Sequence, residues 1–484
     1  MSAVTIVDIG EHGPDRLRSV LSDEQFAEVR DAVATAQELF DGRVIWHVNS
    51  TARGGGVAEM LTALLPYARG AGVDARWAVI SGDDAFFTVT KRVHNRLHGA
   101  EGDGGPLGDE QRAAYLEALE PNADELCDAI GERDVVVLHD PQTAGLVPRL
   151  KASGATVIWR CHVGLDTPND IAREAWAFLR EWVQQADACL FSREQFIWED
   201  LDRERVHVIA PTIDALAPKN QELSDEVVAA ILATAGLVEA EAQAAPEFER
   251  QDGSTAQVER QATTIEDSRL QPGDAYILQV SRWDSLKDPL GVIDGFVEHV
   301  APHIEAHLVY AGPDVDAVSD DPEGAQVLEQ AKDRWESMDA ETRAHVHLVL
   351  LPMDDLEENA VIVNALQRGA AIVVQKSLAE GFGLTVAEAM WKSRPVVASR
   401  IGGIQDQIED GRSGVLLDDP KDLAAYGKAV VGLLEDPQRA RDMGEQARER
   451  VRGRFLGSQS LLEYLAVLQR VLEDDEPQAA PAAD

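Results

Sequence analysis

The sequence predicts an α/β protein built as two doubly wound domains that face each other across a cleft. Three observations predict it. Short apolar runs recur along the chain, each ending in a polar or glycine-rich cluster, and stretches with helical spacing lie between them. Strands that alternate with helices assemble into a parallel sheet covered on both faces. The 484 residues suffice for two cores of ordinary size, and the alternation stops at residues 236–272 and then begins again.

Taken in order, residues 4–9 form a short apolar segment and residues 23–40 a helix rich in Ala and Glu. Residues 44–49, VIWHVN, read as a buried strand, followed by the turn STARGGG at 50–56. A helix over 57–71 sets Met60, Leu61, Leu64 and Leu65 on one face. Strands follow at 75–80, at 134–138 ending in His139-Asp140-Pro141-Gln142, at 156–159 ending in Arg160-Cys161-His162, and at 206–210, with a helix over 171–186. Residues 236–272 lack sustained apolar periodicity and are rich in Ala, Glu, Gln and Thr, so they are expected to be a disordered or loosely helical insertion. A second set of strands is expected at 275–280, 307–310, 346–350, 371–374 and 395–398. Leu461, Leu462, Leu465, Leu468 and Leu472 mark one face of a terminal helix, and residues 473–484 are expected to be a disordered acidic tail. The domains implied are 1–215 and 216–439.

Composition narrows the class of function. The net charge of −42 excludes a nucleic-acid partner, because phosphate binding needs a basic surface. Acid spread through the whole chain reads as a solvated, salt-adapted surface. No apolar run is long enough to span a bilayer and the N-terminus lacks a basic-then-apolar leader, so a cytoplasmic protein without a membrane partner is expected. Cys127, Cys161 and Cys189 are odd in number and widely spaced, which argues against disulfides and a structural zinc site.

The chemistry concentrates in residues 377–399, SLAEGFGLTVAEAMWKSRPVVAS. Glu380 and Glu388 stand eight positions apart, with Gly381-Phe382-Gly383 between them and a helix expected from about 384 to 392. A glycine turn opening a helix aims free amides outward with the positive end of the helix dipole behind them, which suits phosphate. The two carboxylates can accept hydrogen bonds from hydroxyls. An anion cradle flanked by hydroxyl acceptors suits a nucleotide sugar, a diphosphate between ribose and hexose. Gly55 and Gly56, between a strand and a helix, repeat the anion-binding geometry. Arg282 and Lys287 follow a strand end five positions apart, in a loop entering a helix, where fixed cations could neutralise a departing diphosphate.

The E-x7-E spacing with an internal GFGL resembles the signature of retaining glycosyltransferases of the GT-B fold, two Rossmann-like domains. The first-domain stretches WHVNSTARGGGVAEML, LHDPQ, IWRCHVG and PTIDALAPKN are similar to those of the trehalose glycosyltransferring synthase family, within glycosyltransferase family 4. The resemblance covers nearly the whole chain except 236–272 and the tail. It implies that helices at about 440–472 cross back to complete the first, acceptor-side domain, and that the second binds the donor. The implied reaction transfers glucose from a nucleoside-diphosphate glucose to free glucose, giving α,α-trehalose reversibly. By the same resemblance Glu388 holds the ribose hydroxyls, Glu380 the donor hexose, and Arg282 and Lys287 the diphosphate. Gly381, Phe382 and the amides near Gly383, Leu384 and Thr385 also line the donor site. His162 stands beside the reacting carbon, and Asn49, His139, Asp140 and Gln142 meet the acceptor. Glu380, His162, Arg282 and Lys287 are the expected catalytic set.

Asp314-Val315-Asp316 has the D-x-D form that metal-dependent transferases use, but 86 acidic residues make chance triplets expected. No metal site and no cofactor are therefore expected, with magnesium at most stimulatory and the nucleotide sugar a substrate. The expected partners are that donor, a small sugar acceptor and a second copy in a homodimer. Alternatives within the fold are a transferase acting on a sugar phosphate, glycerate or lipid, with Arg53, Lys91, Arg92 and Arg160 available as cations, a sugar-nucleotide 2-epimerase, and a non-catalytic nucleotide-sugar sensor.

Overall fold

The computed structural model describes residues 2–52, 55–240, 242, 244–315 and 322–475. Arg53, Gly54, Asp316 and residues 476–484 of the expected tail lie outside the described residues. Two compact units divide the chain: Met1–Thr212 with Gly457–Asp484, and Ile213–Leu456. Among the described residues, no helix is long and apolar enough to cross a membrane.

The first unit is built on the strands β1 (Val4–Val7), β2 (Val44–Asn49), β3 (Asp74–Ile80), β4 (Val135–His139), β5 (Thr156–Cys161), β6 (Ala188–Phe191) and β7 (Val206–Val208). They lie in the order β1-β3-β2-β4-β5-β6-β7, with β1 antiparallel to β3 and the other pairs parallel. The central strands VVVLH and TVIWRC are buried at every position, because helices cover both faces and leave no side for polar alternation. One face packs Phe86, Tyr115, Trp159 and Trp182. The other packs Leu61, Leu64 and Ile158 against Tyr464, Leu468 and Leu472 of the terminal helix Gly457–Asp475.

In the second unit β8 (Glu247–Glu249) and β9 (Thr255–Gln257) form a separate antiparallel pair. The main sheet comprises β10 (Thr263–Ile265), β11 (Tyr276–Val280), β12 (His307–Pro313), β13 (Val346–Leu351), β14 (Ile372–Gln375), β15 (Val396–Ser399) and β16 (Val415–Leu417). Its order is β10-β13-β12-β11-β14-β15-β16, parallel except for β10.

Two expectations need correction. The described residues of 236–272 are not loose, since they contribute β8, β9 and β10, and β10 extends the sheet along β13. Each of these strands is three residues long, too short to show a period, and few apolar side chains such as Phe248 and Val258 are buried. Polar bonds anchor the segment instead: Arg250 binds Asp355 at 2.6 Å and Glu357 at 2.9 Å, and the buried Glu358 carboxylate accepts from Arg260. The helix Pro437–Arg454 belongs to the second unit, so only Gly457–Asp475 returns to the first. Met443, Ala447 and Val451 are buried there, and Gly444 lies against the Ser393 carbonyl so closely that a Cβ would stand 2.1 Å from its oxygen.

Each parallel sheet has one point where successive strands depart in opposite directions, between β2 and β4 in the first and between β11 and β14 in the second. Ligands of doubly wound sheets bind at the carboxyl ends of strands at such a point. Gly55-Gly56 after β2 and His139-Asp140 at the end of β4 lie at the first point, Arg282-Lys287 after β11 and Glu380-Gly383 after β14 at the second, and His162 follows the neighbouring β5.

Candidate active site

In the second unit, the loop leaving β11 is shaped by its own side chains. Trp283 is buried, packs at a tilt of 30° against Tyr310 with ring centroids 5.0 Å apart, and donates to the Pro313 carbonyl at 3.0 Å. Asp284 accepts from the Leu286 amide at 2.8 Å, folding the one-turn helix Ser285–Lys287. Asp288 adopts a left-handed φ of 53°, caps the helix Pro289–His299 through the Gly291 amide, and pairs with the buried Lys376. Gln279 donates to the Lys287 carbonyl at 2.8 Å. So held, Lys287 places Nζ 2.6 Å from Glu380 Oε2, which also accepts from Ser377 Oγ at 3.3 Å. Arg282, with its side chain 68% exposed, lies 3.2 Å from Asp284.

Gly383 has φ 78° and caps the helix Leu384–Trp391, whose leading amides at Leu384 and Thr385 precede the first helical hydrogen bonds. A left-handed residue here favours glycine. The turn is braced by residues the sequence reading missed. Gln407 donates to the Phe382 carbonyl at 2.6 Å, and Gly403 donates its amide to the Gly381 carbonyl at 2.8 Å. A Cβ on Gly402 would stand 2.0 Å from the Glu380 carbonyl oxygen. A glycine pair directly after an apolar strand was the available signal.

Glu388 is 3% exposed. Its Oε1 lies 3.4 Å from Lys219 Nζ, while Oε2 is buried without a hydrogen-bond partner among the described residues. Lys219, also missed, is followed by Asn220, whose side chain accepts from Lys392 at 3.1 Å. Burial holds the Lys392 amine well below its ordinary pKa, and it also donates to Gln367 at 2.8 Å and to the Glu388 carbonyl at 3.1 Å.

In the first unit, Gly55 has φ 85° and caps the helix Gly56–Gly70, and no described residue stands within 4 Å of where a Cβ would be on either Gly55 or Gly56. Asn49 uses both amide atoms internally, accepting from Trp77 Nε1 at 2.8 Å and donating to the Thr51 carbonyl at 2.7 Å. It therefore shapes the glycine loop. Asp140 has φ 64°, and its Oδ1 accepts from the His162 amide at 2.8 Å. Burial pushes its carboxyl up to about 6. Gln142 is half-buried on the short helix Asp140–Thr143. His139, 1% exposed, has both ring nitrogens engaged, with His47 Nδ1 at 3.0 Å and His162 Nε2 at 3.1 Å. Nothing in an apolar strand singled out His47 beyond being a histidine there.

Of the cations weighed for a phosphorylated acceptor, Arg92 binds Asp103 at 2.6 Å and the Pro106 carbonyl at 2.6 Å. Arg160 is buried and donates to Tyr464 and to the Ile209 carbonyl. Burial first, and the Arg160 charge with it, lowers the pKa of His47 to about 3 and that of His162 well below its ordinary value. His139 is lowered likewise by burial, by the neighbouring histidines and by Arg160.

Residues 47–198 match the family described as trehalose synthase, N-terminal domain, and residues 261–450 match glycosyl transferases group 1. The chain is 35% identical over 93% of its length to a trehalose synthase of Thermococcus litoralis, covering 95% of that protein. With a trehalose synthase of Rubrobacter xylanophilus the identity is 36%, over 94% of this chain and 96% of the relative. Among solved structures, an α,α-trehalose-phosphate synthase (UDP-forming) from Burkholderia vietnamiensis is similar with a TM-score of 0.63 at 14% identity, covering 90% of this chain and 98% of that one. That structural likeness concerns the fold. With its two Rossmann-like sheets and its similarity along nearly the whole chain, this protein belongs to the trehalose synthase family of GT-B glycosyltransferases.

Proposed function

We infer that the enzyme transfers glucose from a nucleoside-diphosphate glucose to free glucose with retention, forming α,α-trehalose reversibly. The observation that carries the donor half is Glu388 Oε2, a buried carboxylate oxygen without a partner among the described residues, beside a glycine-capped helix start. Such an oxygen is costly until a donor completes it, and a ribose hydroxyl has the right chemistry. The amides of Leu384 and Thr385 and the cations Lys287 and Arg282 take the diphosphate, and Glu380 takes a hexose hydroxyl. Charge developing on the leaving phosphate is then met by fixed donors. The leaving oxygen accepts the proton of the attacking hydroxyl on the same face of the sugar.

A neutral acceptor is supported by the fact that Arg92 and Arg160 are committed inside the first unit. Asp140, Gln142 and His162 supply hydroxyl partners for it. The test is product formation from UDP-, ADP- and GDP-glucose with free glucose, with and without chelator, in high salt. Trehalose with an α,α linkage, formed despite chelator, is the expected result. Donor hydrolysis or donor binding without a disaccharide would refute the acceptor assignment and leave the donor assignment standing.

A further inference from the structure

The first unit contains a line of three imidazoles drawn from three adjacent strands. His47 lies within β2, His139 ends β4, and His162 follows β5. Neighbouring rings are nearly coplanar, at 25° for His47 with His139 and 14° for His139 with His162. Their edges meet nitrogen to nitrogen at 3.0 and 3.1 Å. Each bridge holds one proton, since two would clash and none would leave two lone pairs opposed.

Three neutral imidazoles carry three ring protons. Two fill the bridges, so the third sits at one end, on His47 Nε2 or on His162 Nδ1. If His162 Nδ1 is bare, then Nε2 of all three rings is protonated. If His162 Nδ1 carries hydrogen, then Nδ1 of all three is protonated. No mixed arrangement satisfies both bridges. The tautomer of the ring assigned to the sugar is thus tied to that of His47, which borders an apolar cavity of about 110 Å³ together with Leu64, Val137, Tyr464 and Leu468.

We propose that His47 and His139 are positioning residues that lock His162 in one neutral tautomer and so decide whether its Nδ1 accepts or donates a hydrogen bond toward a sugar hydroxyl. The proposal rests on the assignment of His162 to the sugar site. Arg160 supports the lock, because its buried guanidinium has no carboxylate partner among the described residues and disfavours a second positive charge nearby. Among the described residues, the ionisable groups bearing on the rings besides one another are Arg160 on all three, the Tyr464 ring 6.0 Å from His47, and Asp140, which holds the His162 amide.

The test is nitrogen NMR of the full-length protein labelled at histidine, without substrate. The wild type should show the same nitrogen protonated in all three rings and scalar couplings across both bridges, with none of the three rings titrating near pH 6.5. A mixed pattern, or three independent titrations near 6.5, would overturn the lock whatever the enzyme makes. His47→Phe removes one bridge while keeping a ring of similar size. It should leave the His162 signals as a tautomer mixture and lower kcat on the order of ten- to a hundredfold, the scale of a misdirected catalytic group, with donor KM little changed. His47→Asn, which can restore a bond to His139, should recover part of that loss. Unchanged His162 signals in His47→Phe would refute the proposal. A locked tautomer in a protein whose kcat ignores His47→Phe would refute the role assigned to His162 in the reaction.

Discussion

Lys287 and Glu380 touch at 2.6 Å, so each determines what the other can offer a ligand. Lys287→Ala should lower kcat/KM by about 10²–10³, the usual loss when one fixed donor to a developing anion is removed, and should weaken binding of the nucleoside diphosphate alone. Steady-state rates and calorimetry with the free nucleotide would show both, and normal turnover would refute the phosphate assignment. Glu388→Gln keeps the shape but loses the charge, so donor KM should rise about tenfold, the equivalent of about 1.4 kcal/mol for one charge-assisted bond. Arg282, Lys287, Glu380 and Glu388 could be singled out as candidates from the sequence because each belongs to a short motif beside a glycine turn or strand end. Lys219, Gln407 and His47 were not, because their roles depend on partners 169, 25 and 92 positions away.

At the scale of elements, the terminal helix Gly457–Asp475 does more than cover a sheet face. Tyr464 accepts a hydrogen bond from Arg160, which among the described residues donates otherwise only to the Ile209 carbonyl. Tyr464→Phe keeps the packing but leaves a buried guanidinium short of an acceptor, at a cost of about 2 kcal/mol. Denaturant unfolding should show the first unit weakened by that amount, and an unchanged midpoint would contradict the pairing. The helix itself was readable from the spacing of its leucines, and β2, β4 and β5 from their apolar runs. The segment 236–272 was not, since its strands are held by Arg250, Arg260 and Glu358 rather than by a repeating apolar face.

For the molecule as a whole, charge and burial set its response to pH and salt. The folded-state pKa of His47 is lowered to about 3, and those of His139 and His162 are lowered with it. Below pH 6.5 the unfolded chain takes up protons that these rings refuse, so their stability contribution, complete above 6.5, is lost as pH falls toward 3. Such a ring contributes a slope of about 1.4 kcal/mol per pH unit between its ordinary value and its own folded-state pKa, which for His47 is the window from 6.5 to about 3. Asp140, raised to about 6, acts in the opposite sense between 6 and its ordinary value and offsets part of the loss. The unfolding midpoint should therefore drop steeply between pH 6 and 4, and a flat profile would refute the burial of these rings as neutral groups. A net charge of −42 adds a second dependence. Self-repulsion is screened as the Debye length shrinks from about 10 Å at 0.1 M salt to about 3 Å at 1 M, so thermal stability should rise between those concentrations.

The sequence by itself determined the parallel α/β class, the two-domain division and the motif that marks a glycosyltransferase. Strand-helix periodicity and glycine turns are local, and locality is what a one-dimensional pattern can carry. Only the tertiary structure decided that β10, within 236–272, joins the second sheet, that Glu388 has a carboxylate oxygen buried without a hydrogen-bond partner among the described residues, and that three histidines from separate strands form one line. Those features arise where strands distant in sequence become neighbours in a sheet, and no spacing along the chain records that adjacency.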